Sequence, residues 1–342
     1  MMKKERRCVL TLCVIIAAVA LRSVASAQTD SKKKMDEAMK LCNSANFDKA
    51  IELLSQLADD KTLDNKDKKN VLLALGRSYV AKKNQKSATT AMTKLLDLEP
   101  PLIVPDPDAE CPPLMNAYYE ARKSKSGTTQ VEQRADPGIK TIAILDFKNR
   151  SVDDKDKYDP LEKGFAELMI DQLNGSVNLK VIERERIQWI LDEIGLENDP
   201  NKFDQSSAVR VGKQLGVHSI LLGSFFKVKG TMKLTARLVK VETSEILATE
   251  QANGDADEFF EIAETLSLKV AKKINASLTK ADIEKGSETK SLDAMMSYSE
   301  GLVLLEKGNY KGAYDKFMQA LQIDPKYDKA KMKADSLKPL LG

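Results

Sequence analysis

The densest polar cluster in the chain is Glu183-Arg184-Glu185-Arg186, where paired carboxylates have the chemical capacity for acid–base work. No nucleophile motif or metal set stands beside them. The cluster therefore reads as the end of a strand and the start of a helix, with alternating charges that neutralise one another. His218 is the only histidine and follows Gly216-Val217 at a strand entrance, where a hydrogen-bonded packing role is expected. A single histidine also excludes the multi-histidine zinc sites. Gly212, Gly216 and Gly223 match neither a P-loop nor a dinucleotide fingerprint. Asp153, Asp154 and Asp156 lack the glycine and terminal glutamate of a calcium loop. No catalytic, cofactor-binding or metal-binding residue is expected, and the chain does not read as an enzyme.

Two other residue sets invite a role. Steps of about 100° along a helix place Ile187, Ile190, Leu191 and Ile194 on one side. Trp189 then falls on the opposite side, next to Leu196. A lone tryptophan on a polar helix face is a candidate interface anchor; packing beneath the loop 197–205 is the alternative. Cys42 and Cys111 remain once the first 27 residues are set aside. An oxidising compartment would permit a disulfide between them, and one buried thiol with one loop thiol is the other reading.

Those first residues read as a secretory signal. Lys3, Lys4, Arg6 and Arg7 precede an apolar run from Cys8 to Leu21, and Ala25-Ser-Ala27 supplies the small residues of a cleavage site before Gln28. Export to the periplasm is expected, with no transmembrane segment in the mature chain. The whole sequence carries a net charge of +3, but the leader holds five basic residues against one acidic, so the mature chain is close to balance. With both signs interspersed, no basic face for nucleic acid is expected.

The elements that would position these residues fall into three modules. Gly301, Leu304, Gly308, Tyr310, Ala313, Phe317, Ala320 and Pro325 follow the spacing of a tetratricopeptide (TPR) repeat, a helix–turn–helix unit of about 34 residues. Leu72, Leu75, Gly76, Tyr79, Ala88, Met92, Leu95 and Pro100 fit the same template, and Leu41, Asn46, Phe47, Ala50, Leu54 and Leu57 fit it more loosely. A proline-rich stretch from Pro100 to Pro113 interrupts helix and precedes a short helix, Leu114 to Lys123. The expected layout is a signal peptide over 1–27, N-terminal helical repeats over 31–123, and a linker over 124–138. An α/β domain with a mixed sheet follows over 139–279, then a second linker over 280–291. A C-terminal repeat with a capping helix spans 292–341. The exposed face of that repeat is expected to rest on the long amphipathic helix that closes the α/β domain.

Within 139–279 the segments Thr141 to Phe147, Gly164 to Leu168, Val181 to Ile187, Val211 to Val217, Ile220 to Ser224 and Leu234 to Leu247 follow one another in order. This series resembles the soluble domain of the curli-secretion channel (CsgG) family of bacterial cell-envelope proteins. The resemblance implies work in envelope export or assembly, with association to the outer membrane. Channel-forming members insert barrel strands at two places, which here hold only Lys229-Gly230 and Gln251 to Gly254. A membrane strand needs about nine to eleven residues, so the pore function is not expected. The reading is a non-catalytic periplasmic assembly or adaptor protein without cofactor. Its partners would be cell-envelope proteins held by the repeats, and a homo-oligomer is compatible with it. The alternative is a periplasmic ligand-sensing or solute-binding domain.

Overall fold

The computed structural model describes residues 29–98, 105–127, 139–152, 154–196, 204–283 and 289–341. The expected signal peptide, most of the first linker and the loop 197–205 up to residue 203 lie outside them. The chain divides into two compact units, the first ending at Pro105 and the second running from Asp106 to Leu341.

The first unit is all helical: α1 (29–43), α2 (Phe47–Ala58), α3 (Asn65–Ala81) and α4 (Gln85–Leu96). Helix α2 packs on α3 and α3 on α4. Asp64 and Asn84 start α3 and α4 by accepting hydrogen bonds from the backbone N–H groups of Asp67 and Ser87. The residues that carried the repeat spacing are the core: Ala50, Leu54, Leu72, Ala88, Met92 and Leu95 are all buried.

The second unit opens with α5 (Pro112–Ser126) and continues through β1 (Lys140–Ile144), β2 (Lys148–Asn149), α6 (Lys155–Tyr158), α7 (Leu161–Asn174) and β3 (Leu179–Val181). Then come α8 (Arg184–Glu193), α9 (Gln205–Leu215), β4 (Ser219–Val228), β5 (Thr231–Lys240), β6 (Ile246–Asp255) and α10 (Phe259–Lys273). The chain closes with α11 (Lys280–Ile283), α12 (Leu292–Glu306), α13 (Tyr310–Ile323) and α14 (Asp328–Leu337). The fold is thus an all-helical stacked region, a mixed sheet with helices, and further C-terminal helices, as the hydrophobic periods implied.

The sheet runs β3-β1-β4-β5-β6, with β2 added to β4. Pairs of β1 with β3 and with β4 are parallel, while β4–β5 and β5–β6 are antiparallel. The alternation read along β5 is real: Met232, Leu234, Ala236 and Leu238 are buried. The β4–β5 hairpin turns on Lys229-Gly230, and it is Lys229 that takes the left-handed conformation, at φ 54°. Helix α10 lies on β5, β6 and α7, and α7 lies on β1 to β4. Glycine is required at one sheet position, because a Cβ on Gly223 would stand 2.2 Å from the Phe147 ring that covers it.

Three expectations are corrected here. The helix after the proline-rich stretch belongs to the second unit, where α5 packs on α8. The C-terminal repeat rests on α7, not on the long closing helix. Gly164 makes that approach feasible, since a Cβ there would lie 2.1 Å from the Ser299 hydroxyl of α12. The segment between α10 and α12 carries a short helix, α11, whose Ile283 is buried and which packs on α7 and α10.

Candidate functional site

The Glu183–Arg186 cluster sits where β3 passes into α8, as read, but its charges pair with other elements rather than with one another. Glu183 occupies the N-cap position without a side-chain capping bond. Arg184 turns inward and is 9% exposed. Its guanidinium donates to Asp146 Oδ1 at 2.6 Å and to Glu306 Oε1 at 2.6 Å. Lys163 of α7 pairs with Asp146 Oδ2 at 2.9 Å and also with Glu306. Two cations and two carboxylates thus alternate in a closed ring tying the end of β1, α7, α8 and α12 together. Burial opposes charge on Asp146, yet Arg184 and Lys163 outweigh it and hold the carboxyl well below its usual range.

A second cluster lies on α14. Lys329 Nζ reaches Glu167 Oε1 at 2.8 Å and Asp171 at 2.5 Å, both on α7. Lys333 Nζ reaches Glu185 Oε1 at 2.5 Å, Asp108 Oδ1 at 3.0 Å and the Pro107 carbonyl at 3.2 Å. Lys333 is 2% exposed, so its charge survives only because these acceptors surround it. Burial raises the Asp108 carboxyl, but Lys333 and Lys329 pull it down to about 2. Glu185 goes the other way: burial pushes it up, Lys333 pulls it back, and the charges of Glu167 and Asp108 add to the rise.

Chemically, these groups are consumed by one another. Each ring oxygen and nitrogen that might abstract or deliver a proton is held in an ion pair between elements of the fold. The arrangement fastens α12 and α14 to the sheet domain. The sequence carried a signal for it that periodicity alone did not decode. Lys329 and Lys333 are four apart, beside Ala330, Ala334 and Leu337 on the apolar side of α14, and Glu167 and Asp171 have the same spacing on α7.

Trp189 and Leu196 are 7% and 3% exposed, which corrects the expectation of an open interface. Helix α8 is covered on both sides. The Trp189 ring packs on Tyr119 of α5 at 5.6 Å, with Lys123 Nζ 5.9 Å above it and the Lys123–Glu193 ion pair alongside. Cys42 and Cys111 are both thiols. Cys42 Sγ lies 3.4 Å from the Ser78 hydroxyl in the first unit, whereas Cys111 is the buried N-cap residue of α5 in the second. His218 is hydrogen-bonded, as expected, but exposed. Its Nδ1 lies 3.2 Å from the Thr141 backbone nitrogen and 2.9 Å from the Thr141 hydroxyl.

Two concavities at the surface of the second unit lie beside residues already described. One, about 130 Å³, lies among Asn116, Gln188, Leu302, Leu305, Glu306 and Tyr310, directly over the Arg184 ring. The other is an open cleft of about 670 Å³ at the end of the sheet where β1 and β4 begin and β5 ends. Lys140, Lys213, His218, Lys240 and Lys273 line it, with Glu242 as its acidic residue. Among the described residues no group of three or more His, Cys, Asp or Glu side chains is placed to hold a metal ion. Likewise, no helix among them is long and apolar enough to cross a membrane.

No curated protein matches the chain in sequence. Among solved structures, the chain is similar to the LpoB C-terminal domain from Escherichia coli, at 16% identity and a TM-score of 0.30, covering 41% of this chain and 97% of that one. It is also similar to lipoprotein GNA1162 from Neisseria meningitidis, at 14% identity and a TM-score of 0.28, over 40% of this chain and 94% of that one. Residues 124–228, from the end of α5 to the end of β4, match the family model described as curli production assembly/transport component CsgG.

Proposed function

We propose that this chain is a non-catalytic assembly or adaptor protein of the cell envelope, exported to the periplasm, whose helical repeats hold partner proteins. The observation that carries the reading is the match of residues 124–228 to an envelope assembly and transport family. The site supports it from the chemical side, because its acids and bases are spent on joining helices rather than aimed at a ligand. The sheet supports a role other than a pore. Its β4–β5 hairpin closes on two residues, and β6 passes into α10 through Ala256–Glu258, leaving no length for membrane strands at either place. Crosslinking in intact cells followed by capture of the protein tests the reading. Envelope proteins joined to the chain are the expected result. An absence of joined proteins, together with a melting temperature raised by a small metabolite, would favour a ligand-binding domain instead.

A further inference from the structure

Strand β6 ends the sheet among the described residues, and it is long: Ile246 to Asp255. Its pairing with β5 fixes which backbone groups are spent. Ala256 N–H donates to the Gly230 carbonyl at 2.8 Å, and the register sets Thr231 against Asp255 and Thr235 against Gln251. From Ala248 to Gly254 the even-numbered residues of β6 therefore bond to β5, and the N–H and C=O groups of Thr249, Gln251 and Asn253 point away from the sheet; before Ala248 the register shifts opposite Leu238/Val239. The Gln251 carbonyl is met by Lys269 Nζ at 2.7 Å, which agrees with that direction. Edge strands are ordinarily blunted by proline, by lysines, by bulges or by shortness, and the irregularity of β6 is confined to its start, opposite Leu238/Val239. Here the strand itself carries neither proline nor lysine, and its odd-numbered face is uncharged from Thr249 to Asn253.

A second observation meets the first at the start of the strand. Ile246 and Leu247 are 49% and 47% exposed, and Leu247 forms part of the wall of the lysine-lined cleft. Two of the cleft lysines are more than 40% exposed in their pairs, Lys240 with the exposed Glu242 at 3.2 Å and Lys273 with the half-buried Glu250 at 3.4 Å. Such pairs are weak and readily exchanged. His218, an exposed residue, also lines the cleft. A backbone edge spent only at the Gln251 carbonyl, an apolar step and a cationic cleft thus adjoin one another along β6.

The geometry points to a strand-addition site: an extended segment of a partner protein pairs with the free edge of β6, seats an apolar side chain on Ile246 and Leu247, and places acidic residues in the cleft. Main-chain bonds would supply the affinity and the lysines the selection for acidic sequence. The inference shares with the adaptor reading only the premise that the chain holds proteins, and it assigns them a place outside the repeats.

The test uses the full chain and two labelled probe peptides, each an alternating Val-Thr strand, one ending in three glutamates and the other in three lysines. Fluorescence anisotropy should show saturable binding of the acidic peptide, weaker by about tenfold or more for the basic one. Gln251→Pro removes an N–H that the fold does not use, so the sheet is retained, and the variant should lose the binding. Lys240→Glu with Lys273→Glu should lose it independently, which keeps the test decisive if the proline variant fails to fold. Equal binding of both peptides, or unchanged binding in both variants, overturns the site. So does full displacement by inorganic phosphate with no effect of Gln251→Pro, which would make the cleft a small-anion site. Concentration-dependent dimerisation abolished by Gln251→Pro would overturn it in favour of a second copy of the chain. Any of these results leaves capture of envelope proteins by the repeats as a separate question.

Discussion

At the scale of single residues, Lys333 shows how a charge becomes part of a core. It is 2% exposed and answered by Glu185, Asp108 and the Pro107 carbonyl. Lys333→Ala would leave the half-buried carboxylates of Glu185 and Asp108 without their shared cation, and a loss of about 2–4 kcal/mol is expected, read from urea unfolding of the full chain. The pH dependence follows from the same contacts. Asp108 and Glu167 are held below their ordinary values in the folded protein, Asp108 at about 2. A depressed carboxyl stabilises the fold above its unfolded value, near 4, and that contribution drains as pH falls through the folded value. Glu185 is raised and acts in the opposite sense, gaining as pH falls. The two lowered groups dominate, so the urea midpoint should drop between roughly pH 4 and pH 2. Asp108→Asn should flatten that drop. A midpoint indifferent to pH in this window would mean that the pairs contribute nothing to stability.

Among the elements, the contact of α7 with α12 decides how the C-terminal helices sit. Gly164 faces Ser299, whose hydroxyl donates to the Met295 carbonyl at 2.7 Å within α12. Gly164→Ala puts a Cβ where that hydroxyl stands and should cost about 1–3 kcal/mol through the forced separation of the helices. Ser299→Ala in the same chain should recover part of the loss, measured as thermal midpoints of the two variants. No recovery would place the strain elsewhere. The elements themselves were largely legible in the sequence. Met232 to Leu238 alternate as a strand facing a core must, and Gly301 announces a close approach that Phe317 fills, its ring 2.5 Å from where a Cβ would stand. What was not legible is which element covers which. Periodicity identifies Trp189 as lying opposite the isoleucines of α8, but both faces of that helix are buried, and α5 arrives from more than sixty residues away to cover the second. The Glu183–Arg186 cluster stands at the end of a strand and the start of a helix as read, but its charges are answered by α12 and α14 from the far end of the chain rather than by one another.

For the molecule as a whole, the ring of Asp146, Lys163, Arg184 and Glu306 and the lysines of α14 make the C-terminal helices part of the second unit. A fragment of residues 292–342 loses α7 and every anion that answers Lys329 and Lys333. It should be mostly unfolded by circular dichroism, whereas residues 106–342 should melt in one transition. A sharp melt of the short fragment would show that its helices need no support. In the second unit the buried acids and bases are spent on internal fastening, and the proposed role is the holding of partner proteins. The most direct test is crosslinking in intact cells with the joined residues identified by mass spectrometry. The account predicts crosslinks from the helices of the first unit and from β6 to other envelope proteins. Crosslinks confined to the chain itself, accompanied by tight binding of a small molecule, would contradict it.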